Sequence, residues 1–126
     1  MAALSKGKNI KFVKVQNSQG KILVENCGLT QNAWERMVGL LNRKELGSKE
    51  GLLIDGSNSI HTFFMRFSID VVFLDKSNQV VGIVKNLAPW RVTRIFWRAK
   101  AVLELPAGTC ESLELKLGER VSWSIS

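Results

Sequence analysis

Six consecutive residues, Ile69-Asp70-Val71-Val72-Phe73-Leu74, restrict the fold most. They are apolar on both sides of an extended chain except at Asp70. A strand of this kind belongs in the middle of a sheet with both faces covered. Its carboxylate then leaves water and needs a partner to offset the lost hydration. Arg66, Arg43 and His61 are the candidate partners. Asp75-Lys76-Ser77-Asn78 has turn chemistry, so Gln79 to Lys85 is expected to return as the second half of a hairpin.

The rest of the chain reads mostly as further short strands. Asn9 to Val15 alternates, and Asn17-Ser18-Gln19-Gly20 turns it into a partner over Lys21 to Glu25. Over Leu29 to Leu41 the period changes: Trp34, Met37, Val38 and Leu41 fall at i, i+3, i+4 and i+7, the stripe of an amphipathic helix, with Thr30 or Asn32 as cap. Gly51 to Ile54 is a short buried strand, and Ile60 to Met65 is expected to be extended, with His61, Phe63 and Met65 on one face. Asn86 to Lys100 has no clean period and reads as a long loop or irregular edge. Ala101 to Leu105 and Arg120 to Ile125 are strands. Between them Thr109 can cap a short helix that carries Glu111 and Glu114 and ends at Gly118.

About seven strands with one or two short helices make a β-dominated α+β domain. A mainly antiparallel sandwich or half-open barrel is the natural way to bury both faces. The 126 residues are 45% hydrophobic and 23% charged, enough apolar material for one core without disulfides or metal. Residues 9–126 are read as that domain and residues 1–8 as a flexible leading segment. No stretch approaches the roughly 20 apolar residues of a membrane helix, and the first residues lack a secretory core. As given, the chain is expected in the cytoplasm, although removal of a leader would leave the same sequence. Cys27 and Cys110 are expected to be free, partly buried thiols in a reducing compartment. With His61 as the one histidine, they fall short of a structural zinc site, so no metal and no cofactor is expected.

Three blocks carry a family resemblance. Arg36-Met37-Val38-Gly39-Leu40-Leu41-Asn42-Arg43 is similar to an R-x-x-G-L-L/M-x-R segment. Gly51-Leu52-Leu53-Ile54, followed by Ser59 through Asp75, resembles G-L-L-I … S-I-H-T-F-x-M-x-x-P-I-D-V-x-F-L-D. Val102 to Gly108 is similar to V-L-E-L-x-A-G and is followed by Gly118-Glu119-Arg120-Val121. Together they resemble the domain of unknown function 192 family over roughly residues 10 to 123. The resemblance implies a small β-barrel-like α+β fold and a function unassigned for the family. Ser68 stands where a proline is usual. Gly56-Ser57 stands where many relatives carry Pro-Cys, so chemistry that needs that cysteine is absent.

The chemistry of the residues supports three functional readings. A net charge of +7 favours anionic partners. In Trp90-Arg91-Val92-Thr93-Arg94-Ile95-Phe96-Trp97-Arg98, cations alternate with aromatic rings, the combination that grips polyanions by charge and stacking. A plainer alternative folds Phe96 and Trp97 into the core and leaves Arg91, Arg94 and Arg98 in solvent. The leading reading is a non-catalytic binding or accessory domain for an anionic ligand or partner. An alternative is a small enzyme in which His61 and Asp70 handle a proton while Arg43 or Arg66 clamps a carbohydrate or phosphate ester. A third is nucleic-acid binding without sequence specificity. The plain counterpart of the His61–Asp70 site is a buried polar network that fixes strand register. Nucleophile motifs are missing, and Asp55, Asp70, Asp75 and Glu104 are the carboxylates placed for glycosidase chemistry. Oligomeric state is not encoded in any motif.

Overall fold

The computed structural model describes residues 11–30, 46–47 and 49–125. The elements are β1 (Lys11–Asn17), β2 (Ile22–Thr30), β3 (Glu50–Asp55), β4 (Ile69–Leu74), β5 (Val80–Leu87), β6 (Ala101–Pro106), α1 (Thr109–Ser112) and β7 (Val121–Ile125). They form one seven-stranded sheet in the order β5-β4-β6-β3-β2-β1-β7. All neighbours are antiparallel except β2 and β3. That parallel pair cannot be joined by a tight turn and needs a crossover between Thr30 and Glu50.

The sheet curls until its two edge strands nearly meet. At one end Val80 donates to the Glu119 carbonyl, Gly118 donates to the Val80 carbonyl, and Gln79 bridges Arg120. Closure goes no further, so the β-dominated α+β fold is a half-open barrel. Val15, Leu53, Val72, Leu103 and Val121 fill its inside. The outer face of β3, β4 and β6 carries a second core of Leu52, Val71, Phe73 and Val102, roofed by Ile60, Met65, Phe96 and Ala99 from two loops. Residues of β4 alternate between these cores, which is why the whole strand is buried.

The hairpin turns share one device. Asn17 Oδ1 accepts the Gln19 and Lys21 amides, and Asp75 Oδ1 accepts the Ser77 and Gln79 amides. The Gln79 amide is the main reason that the Asp75 carboxyl sits below the usual carboxylate range, helped by the Ser77 amide and by the charges of Arg98 and Arg120.

Some sequence expectations are corrected. Leu29 and Thr30 end β2 rather than open a helix. The remainder of that expected helix, with Arg36, lies outside the described residues, as do Arg43 and residues 1–10. Ile60 to Met65 is not a strand. It makes a single bridge at His61 and then turns, with Phe64 at φ 67°. Thr62 and Met65 are therefore buried while His61, Phe63 and Phe64 face solvent. At α1 the N-cap is Gly108 at φ 94°, with no side-chain cap; Thr109 is already helical, and the helix stops at Ser112. Among the described residues no helix is long and apolar enough to cross a membrane.

Candidate functional site

Asp70 is fully buried inside the barrel, and its partners are backbone amides. Oδ1 accepts from Asn86 at 2.9 Å and Oδ2 from Cys110 at 2.8 Å. The first contact explains an irregularity in β5. Ile69 pairs with Leu87 and Val71 with Val84, so β5 carries one extra residue there. Asn86, at φ 53°, turns its N–H inward at this bulge. The second contact anchors the start of α1. One carboxylate thus fixes the bulge, the helix and the direction in which the chain leaves β5. Beside it, the Cys110 thiol is pushed up to about 12, by burial first and then by the Asp70 charge. Burial, with Glu104 nearby, does the same to Cys27, also to about 12. Both cysteines are free and buried.

The chain leaving β5 lies against the loop before β4, and Thr62 is the staple between them. Its hydroxyl donates to the Ala88 carbonyl at 2.6 Å and accepts from the Arg91 amide at 3.0 Å. Its own amide donates to the Arg91 carbonyl, and its carbonyl accepts from Trp90. Further along, Thr93 donates to the Ile60 carbonyl and Phe96 to the Asn58 carbonyl. The two loops therefore run as a short antiparallel ribbon across the outer core.

At one end of this ribbon sits an aromatic tip. Phe64 and Trp90 meet at 4.6 Å between ring centroids, Phe63 and Trp90 at 6.1 Å, and His61 and Phe63 at 4.9 Å. Phe64 is 63% and Trp90 56% exposed, and both hold a left-handed backbone, at φ 67° and 65°. For a bulky side chain that conformation costs on the order of 1–3 kcal/mol. The Phe63 amide donates to His61 Nδ1 at 3.3 Å. Arg91 and Arg66 are exposed, and neither loop contains an acid.

At the other end Phe96 is buried, stacked on Phe73 at 4.0 Å and covered by the Arg94 guanidinium at 3.9 Å. Gly82 makes this possible, because a Cβ there would collide with the Phe96 ring. Trp97, one residue on, points away and is 77% exposed. The core thus takes one of the two rings that the plainer sequence alternative assigned to it.

The ribbon brings together residues that the sequence offers as two groups. His61 joins Trp90 and Arg91 at the tip, while Arg94 and Arg98 line a groove at the other end. His61 and Asp70 do not meet: one lies in solvent above the outer core, the other faces the barrel interior. Arg43 lies outside the described residues. The four carboxylates considered for sugar chemistry are scattered. Asp55 is exposed, Asp75 closes a turn, and Asp70 and Glu104 take opposite sides of the sheet, since Glu104 pairs with Val71 rather than Asp70. Among the described residues no three metal-ligating side chains cluster. Sequence reasoning gave Thr62, Phe63 and Phe64 no part in a site, and the signal available was two adjacent phenylalanines in a turn-rich segment beside His61 and Arg66.

Comparison with known proteins agrees with this architecture. A structure of a protein of unknown function from Novosphingobium aromaticivorans superposes with a TM-score of 0.75 at 23% identity, covering 98% of this chain and 97% of that one, a likeness of fold. A UPF0127 protein of Thermococcus sibiricus is 29% identical over 115 residues, covering 88% of this chain and 74% of the relative. A UPF0127 protein of Pyrococcus horikoshii is 43% identical over 65 residues, which is 52% of this chain and 56% of that protein. The family model for domain of unknown function 192, described as uncharacterized ACR, matches residues 13–123. The chain belongs to that family.

Proposed function

We propose that this chain is a non-catalytic binding domain that holds an anionic ligand of the single-stranded nucleic-acid type on the aromatic tip. Trp90, Phe63 and Phe64 supply faces for stacking, and Arg91 and Arg66 supply charge for phosphates. The observation that carries the reading is the strained display of Phe64 and Trp90. Both rings forgo burial, and their backbones hold a costly conformation, an arrangement that folding alone does not reward. Thr62 and the second core beneath give the tip a rigid base, which lowers the ordering cost of binding.

Amide NMR of the labelled protein against oligouridylate, an acidic oligosaccharide and a phosphate ester tests this. Oligouridylate is expected to shift Phe63, Phe64, Trp90 and Arg91. If the oligosaccharide alone shifts them, the ligand is a sugar acid and the nucleic-acid reading fails. If no ligand moves the tip, the binding reading fails as a whole.

A further inference from the structure

The incomplete closure of the barrel leaves a second feature, independent of the tip. β5 is, among the described residues, an edge strand whose outer side is paired only at Val80, by Gly118 and Glu119. Among the described residues, the backbone of Val81 to Leu87 finds partners in β4 and in the Asp70 carboxylate alone. Along this stretch run two adjoining pockets of about 430 and 610 Å³, which share Val81, Arg94, Phe96 and Leu117. The larger is lined by Val81, Gly82, Ile83 and Val84 in succession. Consecutive strand residues point to opposite faces, so a groove that meets all four follows the edge of the backbone rather than either face. Val92 and Leu117, each 66% exposed, stand on its other side. Arg94 stands where the two pockets join, Arg98 lines the smaller one, and no carboxylate lines either pocket.

We propose that an extended acidic and apolar peptide segment of a partner protein adds to β5 here as an eighth strand. Its backbone satisfies the open edge, alternate apolar side chains lie against Val81 and Leu117, and a carboxylate reaches Arg94 and Arg98. The open backbone favours a peptide over an acyl chain, which has no amides to pair. A second copy meeting edge to edge would bring a second set of Arg94 and Arg98 to the same seam, which charge disfavours; Lys85 of β5 is already paired with Glu111 at 2.9 Å.

The test uses two blocked decapeptides, one alternating valine with glutamate and one alternating valine with lysine, together with laurate. Each is added to the labelled chain, and amide exchange is followed. The glutamate peptide is expected to slow exchange tenfold or more at alternate residues between Val81 and Leu87. The lysine peptide should leave them unchanged. In Arg94→Glu/Arg98→Glu, whose two sites are exposed, the preference should reverse, with unaltered spectra elsewhere as the control for folding. Equal protection by both peptides, or none, overturns the proposal. So does laurate shifting the groove in place of the peptide, or protection that grows with protein concentration alone, which would assign the edge to a second copy. Oligouridylate shifts at the tip are read separately, so this inference and the tip reading can fail independently.

Discussion

Asp70 answers a question about buried charge with backbone rather than with a second ion. Two amide donors at 2.9 and 2.8 Å replace its hydration, and in exchange it holds a bulge and a helix start. Asp70→Asn keeps the shape but turns one acceptor into a donor facing an N–H. The expected loss is about 1–3 kcal/mol of stability, read from the urea midpoint. The cysteines set an alkaline limit. An unfolded thiol ionises near pH 8.5, about the value for a free cysteine, whereas Cys27 and Cys110 hold their protons to about 12. Between those values the unfolded state binds fewer protons, so stability is complete below about pH 8.5 and falls as pH rises, by up to about 1.4 kcal/mol per pH unit for each thiol. Cys27→Ala/Cys110→Ala should flatten that slope in denaturation curves taken from pH 8 to 11. At this scale the sequence shows that Asp70 is buried, because its neighbours are apolar on both sides. Its partners are not legible, since a backbone amide from a bulge 16 residues away leaves no mark in side-chain pattern.

Among the elements, the strands are legible and the ribbon is not, for a physical reason. β4 and β6 have both faces covered and so read as near-continuous apolar runs. The ribbon is built from bends, one bridge and left-handed aromatics, which have no period. Its stability rests on Thr62, a fully buried hydroxyl between two loops far apart in sequence. Thr62→Val matches the volume and removes the hydroxyl, leaving the Arg91 amide and the Ala88 carbonyl without it. A loss of about 1–3 kcal/mol is expected. Because the loops are stapled there, exchange of the Trp90 and Arg91 amides should accelerate more than that of β4. Equal acceleration in both would mean that Thr62 supports the whole fold rather than the tip.

Taken whole, the molecule is a curled sheet with an inner core, a second core on its back, and a roof of two loops over that back. The class of fold is legible from strand count and turn spacing. The single parallel pair is not, because it depends on which edges meet after the crossover. The positive charge is legible as a sum of +7, but its division between an aromatic tip and an edge-strand groove emerges only when the two loops are laid side by side. The claim that matters most is that the tip binds an anion by stacking and charge together. The direct measurement is the affinity for end-labelled oligouridylate, from the fluorescence anisotropy of the label, at 50 and 200 mM salt for wild type, Trp90→Ala and Arg91→Glu. With about two phosphate contacts, affinity should fall about sevenfold over that range. Trp90→Ala should weaken binding at both salts and keep the slope, while Arg91→Glu should weaken it and flatten the slope. Affinity that is indifferent to salt, or unchanged in Trp90→Ala, would contradict it.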